Sequence, residues 1–376
     1  MNENKDFTVT PWEVKGSIDY DRLVQQFGVE KISEANLDAI KKHAGEVHFM
    51  LRRKVFFCHR DLNWILSEYE KGNKFYIYTG RAPSGNVHIG HLLPWVFTKW
   101  LQDKFGAELL FQFPDEEKFL FKDELTLDET QHYLQENMLD VIALGFDPKK
   151  TKFLVDTKHA NLMYREACRV AKRITVSTVK STFGLTDQSN LGEVFYTSMQ
   201  AVPAFLPSVL AGKNIPCLIP HAIDQDPHFR ITRDVLPKLG YYKPASIQCM
   251  FLPPLTGPGG KMSASDETTA IYTTDAPEVA AKKINKYAFS GGQATIEEHR
   301  KKGGNPDVDV SFQWLRMMFE PDDKKLAEIY KNYKSGALLT GELKAILVEK
   351  MTAFLKEHQR KREQAKSKVE KFMLNG

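Results

Sequence analysis

The clearest hydrophobic pattern in the chain covers residues 75–105. Residues 75–79 alternate bulky β-forming side chains and predict a buried strand, and residues 80–87 predict a tight loop. Apolar residues at helical spacing then predict a helix over residues 88–105. The stretch therefore predicts a strand, a loop and a helix, which together form the first part of a β-α-β unit.

The alternation of strand and helix patterns continues along the chain. Residues 108–113 predict a second parallel strand, and Thr126 with Glu129 gives the capping-box pattern of a helix start. Strand patterns return at residues 215–219 and 245–252. This alternation favours a parallel sheet with helices on both faces and a ligand site beyond the carboxyl ends of the strands.

Two segments depart from the alternation. Residues 147–212 are mostly helical in pattern and predict an insertion between the two halves of a nucleotide-binding fold, and strand patterns end at about residue 276. We therefore predict an α/β class, with a Rossmann-like nucleotide-binding fold, a parallel sheet, a helical insertion and a C-terminal α-helical domain. The predicted boundaries are 1–60 for an N-terminal strap and helices, 61–275 for the nucleotide-binding domain, and 276–376 for the helical domain.

The N-terminal segment predicts several short elements. Residues 6–16 predict a hairpin or an irregular strap packed on the protein, because Trp12 is costly to leave in water. Residues 19–27 and 33–43 predict short amphipathic helices, and Asp61 is expected to cap a third helix.

Composition narrows the class of protein. A chain of 376 residues, 42% hydrophobic and 27% charged, buries a full core, and its length fits about two domains. No apolar run approaches the roughly 20 residues of a membrane-spanning helix, and the first residues lack the pattern of a signal peptide. We expect a cytoplasmic protein without a membrane segment. Its four cysteines are widely spaced, which predicts reduced packing residues: Cys58, Cys168, Cys217 and Cys249.

The net charge of +4 is too small to identify a nucleic-acid binder, so the positions of the charged residues along the chain matter more. Residues 356–371, predicted as one terminal helix, hold seven Lys or Arg against three Glu. Such a run is typical either of a solvated face or of a contact with RNA. The cluster at residues 52–54 leaves the same two alternatives open.

Two stretches carry candidate chemistry. His88 and His91 lie three residues apart in the first turn of the predicted helix, where unpaired N–H groups favour a phosphate, and Gly90 leaves room for a flat group. About 170 residues later, the sequence GPGGKMSASD places Lys261 and two serines, including Ser263, on a glycine-hinged loop. Such a loop suits a phosphate chain whose charge changes during a reaction.

With these and further motifs, the chain resembles the class I aminoacyl-tRNA synthetases, and within them the tryptophanyl-tRNA synthetases of the eukaryotic and archaeal type. The resemblance extends over nearly the whole chain, through the motifs TPWEVKG, LRRKVFFCHRD, YTGRAPSG, HIGH, QFPDEEKFLFKD, AIDQDPHFRITRDV, KMSASD, KYAFSGG, EEHRKKGG and SGALLTGELK. The loop departs from many class I enzymes at Ala264, where they have a lysine, so Lys261 is its one fixed positive charge.

The resemblance implies a two-step reaction. The carboxylate of an amino acid attacks the α-phosphate of ATP, pyrophosphate leaves, and a ribose hydroxyl at the 3′ end of tRNA captures the aminoacyl-adenylate. Such chemistry depends on in-line positioning and charge stabilisation. Mg²⁺ is expected to enter with ATP. The resemblance also implies a homodimer with its contact in residues 147–212, and anticodon binding by residues 276–376, whose last helix is expected to pack back on the catalytic domain.

The resemblance also assigns roles to individual residues. The catalytic residues are expected to be His88, His91, Lys261 and Ser263. The residues expected to bind ATP are Arg81, His88, Gly90, His91, Asp224, Lys261, Met262 and Ser263. The residues expected to bind tryptophan are Tyr78 and Gln112 at the indole N–H, and Glu117, Gln200 and Gln225 at the α-ammonium group. No metal site built by the protein is expected, although four possible ligands are near in sequence, namely His221, Asp224, Asp226 and His228.

Four functions remain open at this point. The favoured one is a tryptophan–tRNA ligase acting on L-tryptophan, ATP and tRNA(Trp). A tyrosyl-tRNA synthetase is the nearest alternative, but Pro203 stands where that enzyme commonly has an Asp, three residues after Gln200. Another nucleotidyltransferase of the same fold would not need the helical domain. A non-catalytic descendant would not need His88, His91 and Lys261.

Overall fold

The computed structural model describes residues 7–10, 14–16, 18–262 and 268–375. It confirms the predicted fold class, with a mostly parallel sheet between helices and a helical C-terminal part. None of the helices in the described part of the chain has the length and apolar character needed to span a membrane.

The described residues form nine strands, of which two make a short hairpin and seven make one sheet. They are β1 (Thr8–Val9), β2 (Val14–Lys15), β3 (Glu30–Lys31), β4 (Phe56–Arg60), β5 (Tyr76–Gly80), β6 (Glu108–Phe113), β7 (Thr151–Val155), β8 (Cys217–Ala222) and β9 (Ala245–Cys249). The sheet order is β3-β4-β9-β8-β5-β6-β7, and the five strands from β9 to β7 are parallel. The chain runs outward from β5 to β7 and returns beside β5 as β8. The strand order therefore reverses between β5 and β8, which is where such sheets bind ligands.

The described residues also form eighteen α-helices. They are α1 (Tyr20–Phe27), α2 (Glu34–Ala44), α3 (Phe49–Arg52), α4 (Leu62–Glu70), α5 (Ile89–Phe105), α6 (Glu117–Phe121), α7 (Leu127–Ala143), α8 (Ala160–Ala171), α9 (Val176–Phe183), α10 (Leu191–Ala201), α11 (Leu206–Ala211), α12 (Asp226–Val235), α13 (Pro277–Tyr287), α14 (Ile296–Lys302), α15 (Val310–Trp314), α16 (Asp323–Ser335), α17 (Thr340–Ala365) and α18 (Val369–Phe372). Single turns of 3₁₀-helix occur at Val202–Ala204, Ile223–Gln225 and Leu236–Leu239, and a π-helical turn occurs at Leu315–Phe319.

Two predicted helix starts are confirmed in detail. His88 occupies the N-cap position of α5, and Thr126 caps α7 by accepting a hydrogen bond from the backbone N–H of Glu129. Asp61 occupies the predicted N-cap position of α4, but its side chain makes no capping hydrogen bond. The backbone of Asp61 lies in the left-handed region (φ 52°), and its carboxylate pairs with Arg233 at 2.7 Å. A distant cation thus replaces the N–H groups of the helix as its partner.

Three other elements differ from the sequence pattern. β7 lies inside the segment 147–212 and pairs parallel with β6, and β4 lies inside the segment 1–60 and pairs antiparallel with β9. The basic terminal helix predicted through residue 371 ends at Ala365, and the short α18 follows it. Strands of five residues are formed here because the neighbouring strand supplies their hydrogen bonds.

Successive side chains of the central strands enter two apolar layers. Ile77 of β5 and Phe111 of β6 pack in the layer that contains α5 and α7. Tyr78 and Leu110 pack in the opposite layer with the helices of the insertion. This follows from the period of two along a strand. It also directs Tyr78 toward α10, where its hydroxyl meets Gln200.

The helical C-terminal part is attached to the sheet part by charged side chains. In α17, His358 lies 2.8 Å from Asp140 of α7, and Arg362 lies 2.6 Å from Glu136 of the same helix. At the other end, Arg53 pairs with Asp323 at 2.6 Å. The basic cluster at residues 52–54 therefore provides contacts between the two parts of the chain, an alternative that the sequence did not reveal.

Candidate active site

A cavity of about 310 Å³ opens at the carboxyl ends of the parallel strands, where the strand order reverses. Twelve of the thirteen residues predicted to bind ATP or tryptophan line this cavity. They are Tyr78, Arg81, His88, Gly90, His91, Gln112, Glu117, Gln200, Asp224, Gln225, Lys261 and Met262. The thirteenth, Ser263, lies outside the described residues.

The loop after β5 fixes the position of Arg81. A Cβ at Gly80 would lie 2.6 Å from the carbonyl oxygen of Gln112, so only glycine lets β5 and β6 approach this closely. Beyond it, the backbone N–H of Arg81 donates to that same carbonyl at 3.0 Å. The Arg81 guanidinium lies 2.5 Å from Asn137 and 2.5 Å from the ring of His91. Burial lowers the pKa of Arg81 to about 10, which leaves it cationic at neutral pH.

The two histidines at the start of α5 form a stacked pair. Their ring centroids lie 3.5 Å apart with an angle of 22° between the planes. Burial, reinforced by the charges of Arg81 and Lys261, holds the pKa of both rings well below the ordinary value, so both are neutral at neutral pH. Nδ1 of His88 is buried without a hydrogen-bond partner among the described residues. Since buried polar atoms are normally paired, this nitrogen is a candidate contact for a ligand.

Gly90, between the two histidines, lies under the loop that carries Lys261. A Cβ at Gly90 would come within 3.2 Å of the His88 ring and of the Met262 sulfur. The space that the sequence suggested for a flat group is therefore narrow here, with Met262 on one side and His88 on the other. A larger residue at position 90 would push one of them away.

The lysine of the loop is paired with a residue from the end of β8. Nζ of Lys261 lies 2.8 Å from Oδ2 of Asp224, whose other oxygen is buried without a hydrogen-bond partner in the described part of the chain. The N-terminal hairpin touches the same loop, because the N–H of Gly260 donates to the carbonyl of Gly16 at 3.2 Å. Trp12, which the sequence predicts to pack on the protein, lies outside the described residues.

Hydroxyl and amide groups line the other end of the cavity. The Tyr78 hydroxyl donates to Oε1 of Gln112 at 2.6 Å and accepts from Nε2 of Gln200 at 3.1 Å. Tyr196 lies 2.8 Å from Glu117 and also contacts Oε1 of Gln200. Hydrogen bonds thus connect four of the five residues predicted for tryptophan, and the fifth, Gln225, lines the same cavity just before α12.

Within the described ranges, no three His, Cys, Asp or Glu side chains are grouped so as to hold a metal ion. Of the four neighbouring residues considered from sequence, Asp226 instead pairs with Arg60 at 2.7 Å. Nδ1 of His221 lies 2.9 Å from the carbonyl oxygen of Ala222. These partners account for two of the four possible ligands.

Comparison with known proteins identifies the family. The sequence profile of the class I tRNA synthetases (W and Y) matches residues 70–356. The chain belongs to this family. It is 54% identical to the tryptophan–tRNA ligase of Sulfolobus acidocaldarius over 373 residues, which cover 99% of this chain and 96% of that protein.

Solved structures of the same kind are also similar. Tryptophanyl-tRNA synthetase from Plasmodium falciparum superposes with a TM-score of 0.90 at 40% identity, covering 95% of this chain and 98% of that one. The enzyme from Encephalitozoon cuniculi, solved bound to tryptophan, gives a TM-score of 0.87 at 37% identity, with coverage of 95% and 98%.

Three residues that hold side chains around the cavity of this class I synthetase were not predicted from the sequence. Asn137 holds Arg81, Asp156 holds Gln112, and Tyr196 contacts Gln200. Asp156 directly follows β7, where the sequence FLVD places a polar residue after a short apolar run, as at the ends of β5 and β6. A strand predicted at this position would have indicated Asp156 as a residue near the site. Asn137 and Tyr196 lie inside helices and carry no comparable signal.

Proposed function

We propose that this chain charges tRNA(Trp) with tryptophan. It activates L-tryptophan with ATP to the tryptophanyl-adenylate, releases pyrophosphate, and transfers the tryptophanyl group to the 3′ end of the tRNA. The observation that carries this function is the convergence of both predicted residue sets on one cavity. The relatives named tryptophan–tRNA ligase, which match over nearly the whole chain, support the same substrate.

At one end of the cavity, ATP lies against the start of α5. His88, Gly90 and His91 hold the adenosine and phosphate part, and Arg81 supplies a fixed positive charge beside them. Lys261, together with Ser263, closes on the leaving pyrophosphate, and Asp224 is the group that Lys261 exchanges for it. Mg²⁺ enters with ATP. The protein contributes position and charge to this step, as phosphoryl chemistry requires.

At the other end, the indole N–H of tryptophan meets Tyr78 and Gln112. Glu117, Gln200 and Gln225 receive its α-ammonium group. A substrate without a donor at the indole position would leave buried polar groups unpaired, at a cost of roughly 1–3 kcal/mol each. Sites built in this way reject an analogue by about 10⁴-fold or more, so discrimination against phenylalanine and tyrosine needs no editing domain.

Further features of the proposal concern the rest of the chain. Residues 61–275 form the catalytic domain and residues 276–376 recognise the anticodon, in a protein that works in the cytoplasm. The protein is a homodimer with its contact in residues 147–212. Ten large hydrophobic residues are exposed in the described part of the chain, and four of them fall in this segment: Tyr164, Val176, Leu191 and Leu210. Such exposure favours a contact with another chain.

The function is tested by ATP–pyrophosphate exchange with tryptophan and, in parallel, with tyrosine. We expect exchange that depends on tryptophan, with an efficiency at least about 10⁴-fold higher than with tyrosine. Charging of tRNA(Trp) transcripts with labelled tryptophan tests the second step. Equal exchange with the two amino acids would contradict the proposed substrate, and exchange with neither would contradict the proposed reaction.

A further inference from the structure

A buried carboxylate behind the indole end of the cavity makes contacts that neither sequence motif includes. Asp156, at the carboxyl end of β7, accepts hydrogen bonds from Nε2 of Gln112 with both oxygens, at 3.0 and 2.8 Å. We propose that Asp156 is a positioning residue that fixes which face of the Gln112 amide points into the cavity. The inference deepens the proposed function and rests on it.

The chemistry of an amide makes this orientation decisive. Gln112 has an NH₂ donor on one side of its amide and a carbonyl acceptor on the other, and both oxygens of Asp156 face the NH₂ group as acceptors. With the NH₂ group bound to Asp156, Oε1 of Gln112 must face the cavity. If the amide turned over, its NH₂ would face the indole N–H, and two donors would oppose each other.

The orientation continues through the neighbouring residues. Oε1 of Gln112 accepts from the Tyr78 hydroxyl at 2.6 Å, and that hydroxyl accepts from Nε2 of Gln200 at 3.1 Å. The hydroxyl of Tyr196 contacts both Oε1 of Gln200 and Oε2 of Glu117. Gln200, Tyr78 and Gln112 therefore each donate toward Asp156, and the single hydroxyl proton of Tyr78 is already used. Tyr78 and Gln112 are left with oxygen lone pairs for a substrate, which suits an N–H donor and disfavours an acceptor.

Two further carboxyl groups, those of Glu116 and Asp115, lie near Asp156. Burial, together with the neighbouring acidic side chains, raises the pKa of Glu116 to about 8. Burial and the charge of Glu116 also raise the pKa of Asp156. The acceptor role of Asp156 rests on geometry, because the NH₂ group of Gln112 is only a donor and lies within hydrogen-bond distance of both carboxyl oxygens.

A purely structural role for Asp156 is the competing explanation, and Asp115 provides a matched control. Asp115 is equally buried, but it accepts from the backbone N–H of Thr157 at 3.0 Å and from the side chains of Thr157 and Gln131, with no contact to Gln112. Replacing either aspartate removes a buried carboxylate from the same region. Only replacement of Asp156 changes the partner of the Gln112 amide, because asparagine offers it a donor as well as an acceptor and no longer selects one orientation.

The experiment compares Asp156→Asn with Asp115→Asn in ATP–pyrophosphate exchange. The substrates are tryptophan and benzothienyl-alanine, which has sulfur in place of the indole N–H. We expect Asp156→Asn to lower kcat/KM for tryptophan by about 10- to 100-fold. For the analogue, kcat/KM should change by less than about threefold. Asp115→Asn should leave the ratio of the two efficiencies unchanged. Tryptophan binding measured without ATP should weaken in parallel with kcat/KM.

A second arm tests whether Asp156 acts through Gln112. In a Gln112→Ala background, adding Asp156→Asn should not change the substrate ratio further. If the asparagine variant is unstable to thermal unfolding, Asp156→Ser removes the carboxylate with a smaller neutral group and is measured in its place. Equal losses for both substrates in the single variant, or a further change of ratio in the double variant, would overturn the inference. In either case the unmutated protein retains tryptophan-dependent exchange, whereas absence of that exchange would overturn the proposed function and this inference together.

Discussion

Nζ of Lys261 lies 2.8 Å from Oδ2 of Asp224, so the cation of the glycine-hinged loop is held by a carboxylate at the end of β8. The Lys261 side chain is about one-third exposed, and the Asp224 side chain is nearly buried. A lysine held in this way keeps its loop over the cavity before the phosphates arrive. Under the proposed function, we expect the lysine to exchange the carboxylate for the more strongly charged pyrophosphate as that group leaves.

Lys261→Ala should therefore slow adenylate formation by about 100-fold or more, because the lysine contact tightens mainly in the transition state. Tryptophan affinity should stay within a few-fold, since the lysine lies at the end of the cavity proposed for ATP. Exchange kinetics and equilibrium tryptophan binding measure the two effects. Lys302→Ala, which removes an exposed ion pair with Glu298 in α14, is the control. An exchange rate within a few-fold of the unmutated protein would exclude this role for Lys261.

Deletion of residues 1–16 should raise the KM for ATP several-fold and leave the KM for tryptophan nearly unchanged. The hairpin of β1 and β2 ends at Gly16, whose carbonyl accepts from Gly260, one residue before Lys261. We expect its removal to free the loop that is proposed to close on ATP. Circular dichroism and thermal unfolding check that the shortened protein is folded. Unchanged ATP dependence would reduce the hairpin to a packing element.

Gln112→Ala should lower kcat/KM for exchange with tryptophan. It should also reduce the ratio of this value to kcat/KM for benzothienyl-alanine. The loss expected for one buried hydrogen bond is roughly 1–3 kcal/mol, about 5- to 150-fold. Gln102→Ala is the matched control. Gln102 is equally buried, but it donates to Thr151 at 2.9 Å and does not line the cavity. If both substrates lost efficiency equally, Gln112 would not recognise the indole nitrogen.

Leu191→Glu should weaken dimer formation. Leu191 at the start of α10 is 88% exposed, and a dimer contact through the insertion would bury its apolar surface. Sedimentation velocity over a range of concentrations gives the association state. Ile296→Glu, at a 62% exposed position in α14 outside the insertion, should leave the dimer intact. A stable, active monomer of the unmutated protein would contradict the dimer itself.

His48→Asn should reduce the pH dependence of stability in mild acid. Burial lowers the pKa of His48 to about 4 in the folded protein, against about 6.5 in an unfolded chain. Between these values the unfolded chain binds a proton that the folded protein excludes, so stability is fully present above pH 6.5 and is lost as the pH falls. The slope for one such group is about 1.4 kcal/mol per pH unit.

The asparagine in that variant is expected to keep an acceptor for the backbone N–H of Met50, which His48 Nδ1 binds at 3.3 Å. Urea unfolding at pH 7 and pH 5 gives the two stabilities. The variant should lose less stability than the unmutated protein between these two conditions. An identical loss would mean that His48 takes up a proton without unfolding.

The sequence by itself determined the elements that carry strong local patterns. β5 and α5 follow from alternation and helical spacing, and α7 from its capping box. The expectation that Tyr78 and Gln112 act together came from the family resemblance. The element predictions hold because each depends on residues near one another in the chain.

Only the tertiary structure decided the partners of the charged groups. β7 is five residues long and lies inside a mostly helical segment, so its strand character depends on pairing with β6. That pairing, with Gln112 opposite Leu154, brings Asp156 within hydrogen-bond distance of a glutamine 44 residues earlier. Asp61 likewise turns from its own helix to Arg233, and Lys261 binds Asp224. A charged side chain binds whichever opposite group the fold brings near, and neither propensity nor spacing encodes that distance.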